Sequence, residues 1–450
     1  MPSPRSPLRL LLLFQGMWEQ ECVDALRQSH DVHLEREGFD SMRARGLLKL
    51  LTFDAERFAD RLCATYRGRI DAVWSNDDQF GCLLAAVMAK RLGLPGADPA
   101  AIVRAQHKLL FRQTLANTLP DATVNAAALP WRLPERALRD PRRLAAAVAK
   151  AGLQWPLFCK PVKASFSVMA RCVQDADELA AHLRLSWVDR HLLALLNKPF
   201  AQLAKSVTPL PCATDCPLLE VPMRGSQVNV DGYAWRGDVQ VLGVVDECMY
   251  PGVVQGARHF AGFTFPSRLP EPVQQQVKEV AVAAVKAVGY DHGLFNVELF
   301  VGDDESVRVI EINPRSAGQF ATLYRMVAGI DLERLAIHLA AGLSPTSVPR
   351  VAPVAGAGAS FVFRRFDGLP GVTPSAEALA WLRERHPAAR LWVETSRGAS
   401  LRREYRWLGS HRFGVLNHCA VDFPTLLAEG EECARRLFGI ALPSGLEVDG

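Results

Sequence analysis

The chain has 450 residues, with 52 lysines and arginines against 48 acidic residues and a formal net charge of +4. A chain of this length usually folds into about two to four domains, and its nearly balanced charge argues against nucleic acid as the main partner. No run of roughly eighteen apolar residues is present, so we expect no membrane partner.

The start of the chain and its cysteines bear on localisation. The apolar run LRLLLLF is short, no small-residue cleavage site follows it, and Gly16 leads into acidic, helix-like sequence. These features argue against a secretory signal peptide. The ten cysteines are scattered, and only Cys212 and Cys216 are close together, which is too few neighbouring ligands for a zinc site. We therefore predict a cytoplasmic protein with reduced thiols.

Residues 8 to about 95 alternate strand-like and helix-like segments, which predicts a small parallel α/β domain. The predicted strands are LRLLLLF, DVHLERE and IDAVWS. The loop that follows the third strand lies at the sheet edge where such folds bind ligands. Asn76 and Asp77 in this loop fit two roles: capping of the next helix, which we favour, and contact with an amino group of a substrate.

Two lysines stand out in the next part of the chain. Lys108 falls within AAIVRAQHKLLFRQTLAN, which predicts one helix, and Lys160 ends an apolar strand in WPLFCKPVKASFSVMARCV. The turn after Lys160 is rich in small and hydroxyl residues, among them Ser165 and Ser167. A lysine, hydroxyls and backbone N–H groups together bind phosphate oxygens, so we predict a phosphate-binding loop. A surface position for Lys163 stays open.

Alternating residues in LLEVPMRGSQVNVDGYAWRGDVQVLGVVD predict consecutive antiparallel strands with a turn at residues 236–238. The polar and aromatic stretch that follows, ECMYPGVVQGARHFAGFTFPS, is long enough to suggest a functional loop. From this stretch we select Glu247 and His259 as candidate substrate contacts. Pro272 then begins a helix that we expect to end at Gly289.

The strongest pattern lies in residues 293–319, GLFNVELFVGDDESVRVIEINPRSAGQ. LFNVELFV and VRVIEIN alternate with period two on either side of a turn cluster, which predicts a β-hairpin. If Val301 lies opposite Arg308, then Glu298 lies opposite Glu311. Two neighbouring carboxylates repel each other unless a cation lies between them.

Asn313 shares a strand face with Glu311, and carboxylate and amide oxygens suit Mg²⁺ or Mn²⁺. Pro314 ends the second strand, and Arg315 follows at once, where it can meet anionic oxygens that a metal also holds. The hairpin therefore predicts a metal site for a phosphate-bearing substrate.

The pattern E-x-N-P-R, with a second acid thirteen residues upstream, resembles the metal-binding hairpin of the ATP-grasp superfamily. That superfamily contains carboxylate-amine ligases, D-alanine-D-alanine ligase and biotin carboxylase. The resemblance implies a mixed α/β and α+β fold in three parts. These are a Rossmann-like pre-ATP-grasp domain at 1–97, a two-lobed ATP-grasp domain at 98–350 with its small lobe at about 125–222, and a small α+β domain at 351–450.

The resemblance also implies roles for individual residues. The residues implied to bind ATP are Lys108, Lys160, Ser165, Ser167, Glu220 (near the adenine amino group), the main chain of Val221, Pro222 and Met223, and Gln227 (near the ribose). The residues implied to hold Mg²⁺ or Mn²⁺, as two ions, are Glu298, Glu311 and Asn313. The residues implied to contact the reacting groups are Arg315, Lys160, Glu247 and His259. The phosphate loop departs from the family because it lacks glycines.

The function implied by the resemblance is an ATP-dependent ligase. It would activate a small carboxylate, an amino acid in our expectation, as an acyl phosphate and couple it to an amine with release of ADP and phosphate. Two alternatives stay open: a biotin-carboxylase-like carboxylation, and a non-catalytic ATP-binding regulatory protein. A homodimer is left open. His411 and His418, near the end of the chain, are assigned to core or capping roles in preference to substrate contacts.

Overall fold

The amino-terminal part of the chain forms a three-stranded parallel sheet, as predicted. The computed structural model describes residues 7–28, 31–40, 44–133, 135–165, 167–252 and 256–446. The first elements are β1 (Leu8–Leu13), α1 (Gln20–Gln28), β2 (Val32–Glu37), α2 (Ala44–Leu50), α3 (Ala55–Tyr66), β3 (Ala72–Trp74) and α4 (Gly81–Leu92). The strand order is β2-β1-β3 with parallel pairing throughout.

A four-stranded antiparallel sheet follows, in the order β4-β7-β5-β6. Its part of the chain contains α5 (Pro99–Gln106), α6 (Lys108–Thr118), β4 (Ala126–Ala128), α7 (Pro141–Lys150), β5 (Leu157–Pro161), β6 (Arg171–Val173), α8 (Ala176–His182), α9 (Trp187–Val207) and β7 (Pro217–Glu220).

The single helix predicted around Lys108 is wrong, because His107 divides it into α5 and α6. The backbone of His107 is extended, and its Nδ1 accepts a hydrogen bond from the N–H of Leu110 at 3.3 Å. His107 therefore acts as the N-cap of α6. The division places Lys108 at the first position of a helix instead of in the middle of one.

The remaining strands form one eight-stranded antiparallel sheet, in the order β12-β11-β8-β9-β10-β13-β15-β14. Its first elements are β8 (Ser226–Trp235), β9 (Asp238–Met249), β10 (Phe260–Phe265), α10 (Glu271–Val288), β11 (Gly293–Val301), β12 (Val307–Asn313), α11 (Ala321–Ala328) and α12 (Leu332–Ala340). The last are β13 (Ala357–Arg365), α13 (Ala376–Arg385), β14 (Arg390–Val393), α14 (Gly398–Leu408), β15 (His411–Ala420) and α15 (Phe423–Phe438).

This sheet corrects the long loop expected after Asp246. The strand β9 continues to Met249, and the alternation of FAGFTF forms β10, so Glu247 lies within a strand. The sheet also continues without a break from β10 into β13. Because strands from both sides of residue 350 pair in one sheet, the sheet does not mark a domain boundary there, and the predicted boundary stays a prediction.

Alternate residues of β1 enter two different apolar cores. Leu11 and Leu13 join a core that includes Val297 of β11, whereas Leu10 and Leu12 join one that includes residues of α11 and α12. Because successive side chains of a strand point to opposite faces, β1 is buried on both sides. This packing holds the loop after β3 beside the β11–β12 hairpin. None of the described helices is long and apolar enough to cross a membrane.

Candidate active site

The predicted pairing of the two hairpin acids is confirmed: Glu298 on β11 lies directly opposite Glu311 on β12. The assumption behind it is wrong by one residue, because Val301 pairs with Val307 instead of Arg308. The register shifts after Glu298, where Ile310 has no partner on β11. A β-bulge of this kind places an extra residue on one strand and re-aims its neighbours. The bulge therefore brings the two carboxylates opposite each other.

A chain of amide side chains joins the hairpin to the neighbouring strands. Asn313 Nδ2 donates to Glu298 Oε1 and to Asn296 Oδ1, both at 3.1 Å. Asn296 Nδ2 donates to Asn229 Oδ1 at 3.2 Å, and Asn229 Nδ2 donates to Glu247 Oε2 at 3.2 Å. The network fixes the orientation of two carboxylates on one face of the sheet, and it connects the predicted substrate contact Glu247 to the predicted metal site.

Two of the three carboxylates on this face have raised pKa values. Burial raises the pKa of Glu298 well above its usual range, with further contributions from Glu311 and Glu247. Burial likewise raises the pKa of Glu247 to about 7. Burial would also raise the pKa of Glu311, but Lys108 and Lys160 outweigh it and the pKa lies below the usual value. Lys108 Nζ lies 2.8 Å from Glu311 Oε2.

The side chains present fit a divalent cation. Glu298 and Glu311 are half-buried and offer hard carboxylate oxygens, and their mutual repulsion falls if a cation lies between them. Asn313 donates through Nδ2, which leaves its carbonyl oxygen as the atom that can ligate a metal. Mg²⁺ and Mn²⁺ are the ions that this donor set suits best.

Glu220, Arg112 and Lys160 form a buried ion cluster, called here the hinge triad. Glu220 is 1% exposed; its Oε1 lies 2.7 Å from Arg112 Nε and its Oε2 lies 2.8 Å from Lys160 Nζ. Burial would raise the pKa of Glu220, but Arg112 and Lys160 lower it to about 2. Arg112 also donates to the carbonyls of Val309 (2.5 Å) and Ile310 (3.0 Å). The triad therefore fastens β7 to the bulge of the metal hairpin.

This geometry revises the expectations for the adenine-binding segment. Both carboxylate oxygens of Glu220 face cations, which favours a structural role for that side chain over contact with an adenine amino group. The N–H of Val221 donates to the carbonyl of Asn125 at 3.0 Å. Because Pro222 has no N–H, a main-chain donor to the base would have to come from Met223. Adenine binding by this segment stays a prediction.

Gln227 lies on β8 directly opposite Glu247 on β9. It is two residues from Asn229, so it shares the sheet face that carries the carboxylates. Its predicted contact with ribose stays untested, and its position is compatible with that role.

The predicted phosphate loop is tied to its surroundings by lysines. A surface position for Lys163 is wrong: the residue is 3% exposed, and its Nζ donates to the carbonyl of Asp78 at 2.8 Å. Lys108 Nζ donates to the carbonyl of Ala164 at 3.0 Å. Ser165 is buried, whereas Ser167 is exposed with a φ of 55°. The phosphate contacts of these two serines stay predictions, and Phe166 lies outside the described residues.

Asp78, in the loop that follows strand β3 of the amino-terminal sheet, also lies in the candidate active site. Its Oδ1 lies 3.6 Å from Arg315 Nε. Burial would raise the pKa of Asp78, but Arg315, Lys163 and Lys108 lower it to about 2. Asp78 therefore lies among three cations, two of which, Arg315 and Lys108, are predicted to meet phosphate oxygens, and its ion pair keeps the guanidinium of Arg315 beside the metal hairpin.

The other polar residues of that loop have contacts of their own. The carboxylate of Asp77 accepts hydrogen bonds from the N–H groups of Phe80 (3.0 Å) and Gly81 (2.8 Å), as a helix cap does. Asn76 Oδ1 accepts a hydrogen bond from Ser316 Oγ at 2.9 Å. The capping role is confirmed for Asp77, while Asn76 links the loop to the residue after Arg315.

His259 contacts a different group of residues. It is 6% exposed, its Nδ1 lies 3.3 Å from Ser410 Oγ, and its ring packs edge-on against Phe366. Arg364 donates to the same Ser410 Oγ at 3.0 Å. These contacts connect His259 to the carboxy-terminal segment and not to the hairpin acids, so its role with substrate stays a prediction.

Sequence reasoning missed Arg112, Asp78 and Asn229. Arg112 stands four residues after Lys108, so one turn of α6 separates them, which is a local signal for a shared face. Asn229 lies in an alternating strand whose polar face could equally have been solvated. Asp78 carried no signal, because its role depends on how two sheets pack together.

Comparison with known proteins finds similar sequences and similar folds. Residues 265–346, which contain the whole hairpin, match the family described as the carbamoyl-phosphate synthase L chain, ATP binding domain. Carnosine synthase 1 from Gallus gallus is 31% identical over 350 residues, which cover 75% of this chain and 35% of that protein. The chain thus spans about a third of the length of that relative.

Solved structures resemble nearly the whole chain. The L-amino acid ligase from Bacillus licheniformis superposes with a TM-score of 0.69 at 17% identity, covering 96% of this chain and 98% of the ligase. The biotin carboxylase domain of the 2-oxoglutarate carboxylase from Hydrogenobacter thermophilus, solved with MgADP, ADP and bicarbonate, gives 0.59 at 13% identity and covers 95% and 90%. At these identities the similarity establishes the fold.

Proposed function

We propose that the chain is an ATP-dependent carbon–nitrogen ligase for small molecules, of the ATP-grasp superfamily that its fold and its match over residues 265–346 resemble. It activates a carboxylate as an acyl phosphate and couples it to an amine. The observation that carries the proposal is the opposed pair Glu298 and Glu311, with Lys108 in contact with one of them. Similarity to an L-amino acid ligase and to a carnosine synthase supports an amino acid as one substrate.

Glu298, Glu311 and Asn313 would hold Mg²⁺. When bound, Mg²⁺ offsets the negative charge of the triphosphate and so favours attack at the γ-phosphorus. Lys108 and Lys160 add positive charge on the small-lobe side of the site. Two ions are part of the proposal, as in our expectation from the sequence.

In the first step, a substrate carboxylate oxygen forms a bond to the γ-phosphorus while the bond to the ADP oxygen breaks. Arg315 is placed to stabilise the charge on the transferring group, because Asp78 holds its guanidinium beside the hairpin. No enzyme nucleophile is required. The chain's contribution is positioning and electrostatic stabilisation.

In the second step, the amine nitrogen forms a bond to the acyl carbon, and phosphate leaves with the electron pair of the C–O bond. Glu247 is the carboxylate that we assign to the amine, because Asn229 orients it on the same sheet face as the metal ligands. The same carboxylate would pair with the ammonium group and accept the proton that its nitrogen releases. His259 stays a weaker candidate, because its contacts lie with the carboxy-terminal segment.

The test is ADP release across a panel of amino-acid pairs in the presence of ATP and Mg²⁺. We expect release that depends on both amino acids, and we expect Glu311→Ala to lower it by at least about a hundredfold. Asp303→Ala, an exposed acid in the turn of the same hairpin, is the matched control and should keep full activity. If Glu311→Ala stays folded and keeps amine-dependent release, the proposal is wrong.

The same assay decides between the alternatives. A non-catalytic ATP-binding protein would show no ADP release with any pair. A biotin-carboxylase-like enzyme would release ADP with bicarbonate and biotin and without an amine. No contact among the described residues favours either one over the ligase.

A further inference from the structure

A cluster of metal-ligating side chains lies in the carboxy-terminal part of the chain, outside the candidate active site. It consists of His386 just after α13, His418 on β15 and Glu429 on α15, called here the C-terminal triad. One ligand atom from each side chain lies within 4.8 Å of the other two. Side chains from three separate parts of the fold therefore lie close together, and all three are of types that bind metals.

The three side chains are already partly ordered. His418 Nε2 lies 2.7 Å from Glu429 Oε2, and the ring of His386 lies edge-on to that of His418, with 4.6 Å between centroids. His386 is 7% exposed and His418 is 5% exposed. Such burial explains the pairing of His418 with Glu429, because a buried imidazole N–H needs an acceptor.

His386 is the side chain that this pairing does not explain. Its Nε2 is buried and has no hydrogen-bond partner among the described residues. Buried polar atoms of native proteins are nearly always satisfied by protein, water or an ion. An unpaired ring nitrogen beside a second imidazole and a carboxylate therefore points to a ligand that all three share.

We propose that the C-terminal triad is a binding site for Zn²⁺ or another divalent metal with similar ligand preferences. Two imidazole nitrogens and one carboxylate oxygen are a frequent ligand set for Zn²⁺, with water in the fourth position. The hairpin acids differ, because carboxylate and amide oxygens suit Mg²⁺. The chain would then carry two kinds of metal site with different preferences.

The ligand atoms, all within 4.8 Å of one another, must rearrange to accept the ion. Tetrahedral ligands at about 2.0–2.1 Å from Zn²⁺ lie roughly 3.3 Å from one another. The 2.7 Å contact between His418 and Glu429 would lengthen by a few tenths of an ångström, and the longer separations would shorten. Glu429 is half-buried, so its carboxylate can move and the site opens toward solvent.

The expected role is structural. Asn417, the neighbour of His418 on β15, points to the other sheet face and donates to the carbonyl of Gln319, close after Arg315. A metal that fixes β15 against α13 and α15 would thus stabilise the layer behind the active site without contact with the reacting groups. The inference does not depend on the proposed ligase activity.

The test uses the full chain, treated with a chelator, dialysed and titrated with Co²⁺ in excess Mg²⁺, which occupies the oxygen-rich hairpin site. We expect about one equivalent of Co²⁺ to bind with a visible absorption band typical of nitrogen and oxygen ligands. Zn²⁺ should displace it and raise the melting temperature. His386→Gln should abolish the band and the thermal shift, whereas His33→Gln, on exposed β2, should retain both.

Three results would overturn the inference: no saturable Co²⁺ binding by the parent chain, the same band in His386→Gln, or a thermal shift by Zn²⁺ that survives in the variant. The unfolding curve of each variant without metal shows whether it is folded. If His386→Gln does not fold, Glu429→Gln replaces it, because the half-buried glutamine can keep a hydrogen bond to His418 while losing the charged ligand.

Discussion

The hinge triad and the acids of the metal hairpin are two clusters of charge in the same site, and they are built in opposite ways. In the triad, one carboxylate meets two cations and its pKa falls to about 2. On the hairpin face, Glu298 and Glu247 have raised pKa values, whereas Glu311 forms an ion pair with Lys108. A carboxylate that is fully paired with cations holds a structure together, whereas carboxylates whose ionised form is disfavoured are suited to bind a further cation.

The largest effect should come from the hinge triad. Arg112→Met leaves Glu220 with Lys160 alone and removes the donors to the hairpin carbonyls. A buried acceptor left without its donor costs about 1–3 kcal/mol, and because several acceptors lose theirs we expect a loss of at least about 3 kcal/mol in the free energy of unfolding. Chemical denaturation measures it.

Arg91→Met provides the control, because Arg91 pairs with Glu56 and Asp60 at a half-exposed surface. Its loss should be about 1 kcal/mol or less. Equal losses in the two variants would mean that the triad is no more important than a surface pair.

The second largest expected effect is a difference in how stability depends on pH at the hinge triad and at the hairpin face. The raised pKa of Glu247, about 7, means that its protonated form is favoured in the folded chain. Its contribution is fully present below the ordinary carboxyl pKa near 4.5 and is lost as the pH rises through about 7. Glu247→Gln should therefore reduce the decline in stability between pH 4.5 and 7 by on the order of 2 kcal/mol.

The contribution of the hinge triad to stability should depend on pH in the opposite direction. The pKa of Glu220 is lowered to about 2, so its contribution is present above about 4.5 and is lost as the pH falls toward 2. Denaturation curves at each pH, without divalent ions, measure both effects. An unchanged slope in Glu247→Gln would contradict the raised pKa of this carboxylate.

The smallest effect concerns Glu298. Glu298→Gln removes one of two facing charges yet can still accept the hydrogen bond from Asn313. Without divalent ions we expect this variant to be more stable than the parent by about 1 kcal/mol, because the folded chain then needs neither a buried ionised carboxylate beside Glu311 nor the uptake of a proton at this position. Thermal unfolding in chelator measures it, with Asp303→Asn as the exposed control. A loss of stability would show that Glu298 is already balanced by cations of the chain.

Period-two alternation was sufficient to predict the hairpin, and a carboxylate pair on it was the correct inference. The register was not predictable in detail, because the bulge at Ile310 has no glycine or proline to mark it. Arg112, which donates to the carbonyl of Ile310, lies about two hundred residues away along the chain. Its contact is a result of packing between helix α6 and the hairpin.

The contacts around Arg315 also depend on long-range packing that the sequence pattern does not reveal. A loop between β3 and α4 could be recognised as a ligand edge from strand and helix alternation. Which of its acids caps the helix and which faces Arg315 depends on the approach of two sheets. Asp77 accepts a hydrogen bond at the start of helix α4, whereas Asp78, one residue later, lies beside Arg315. Local pattern therefore predicted the elements, while long-range packing decided which side chains meet.

The most direct test of the account is a calorimetric titration of the chain with a non-hydrolysable ATP analogue, with and without Mg²⁺. We predict that Mg²⁺ tightens binding by at least about tenfold, and that Glu298→Gln with Glu311→Gln abolishes this gain while Asp303→Asn keeps it. Equal affinity with and without Mg²⁺, or the same gain in the doubly substituted chain, would contradict the central claim that these two carboxylates bind a divalent ion at the triphosphate.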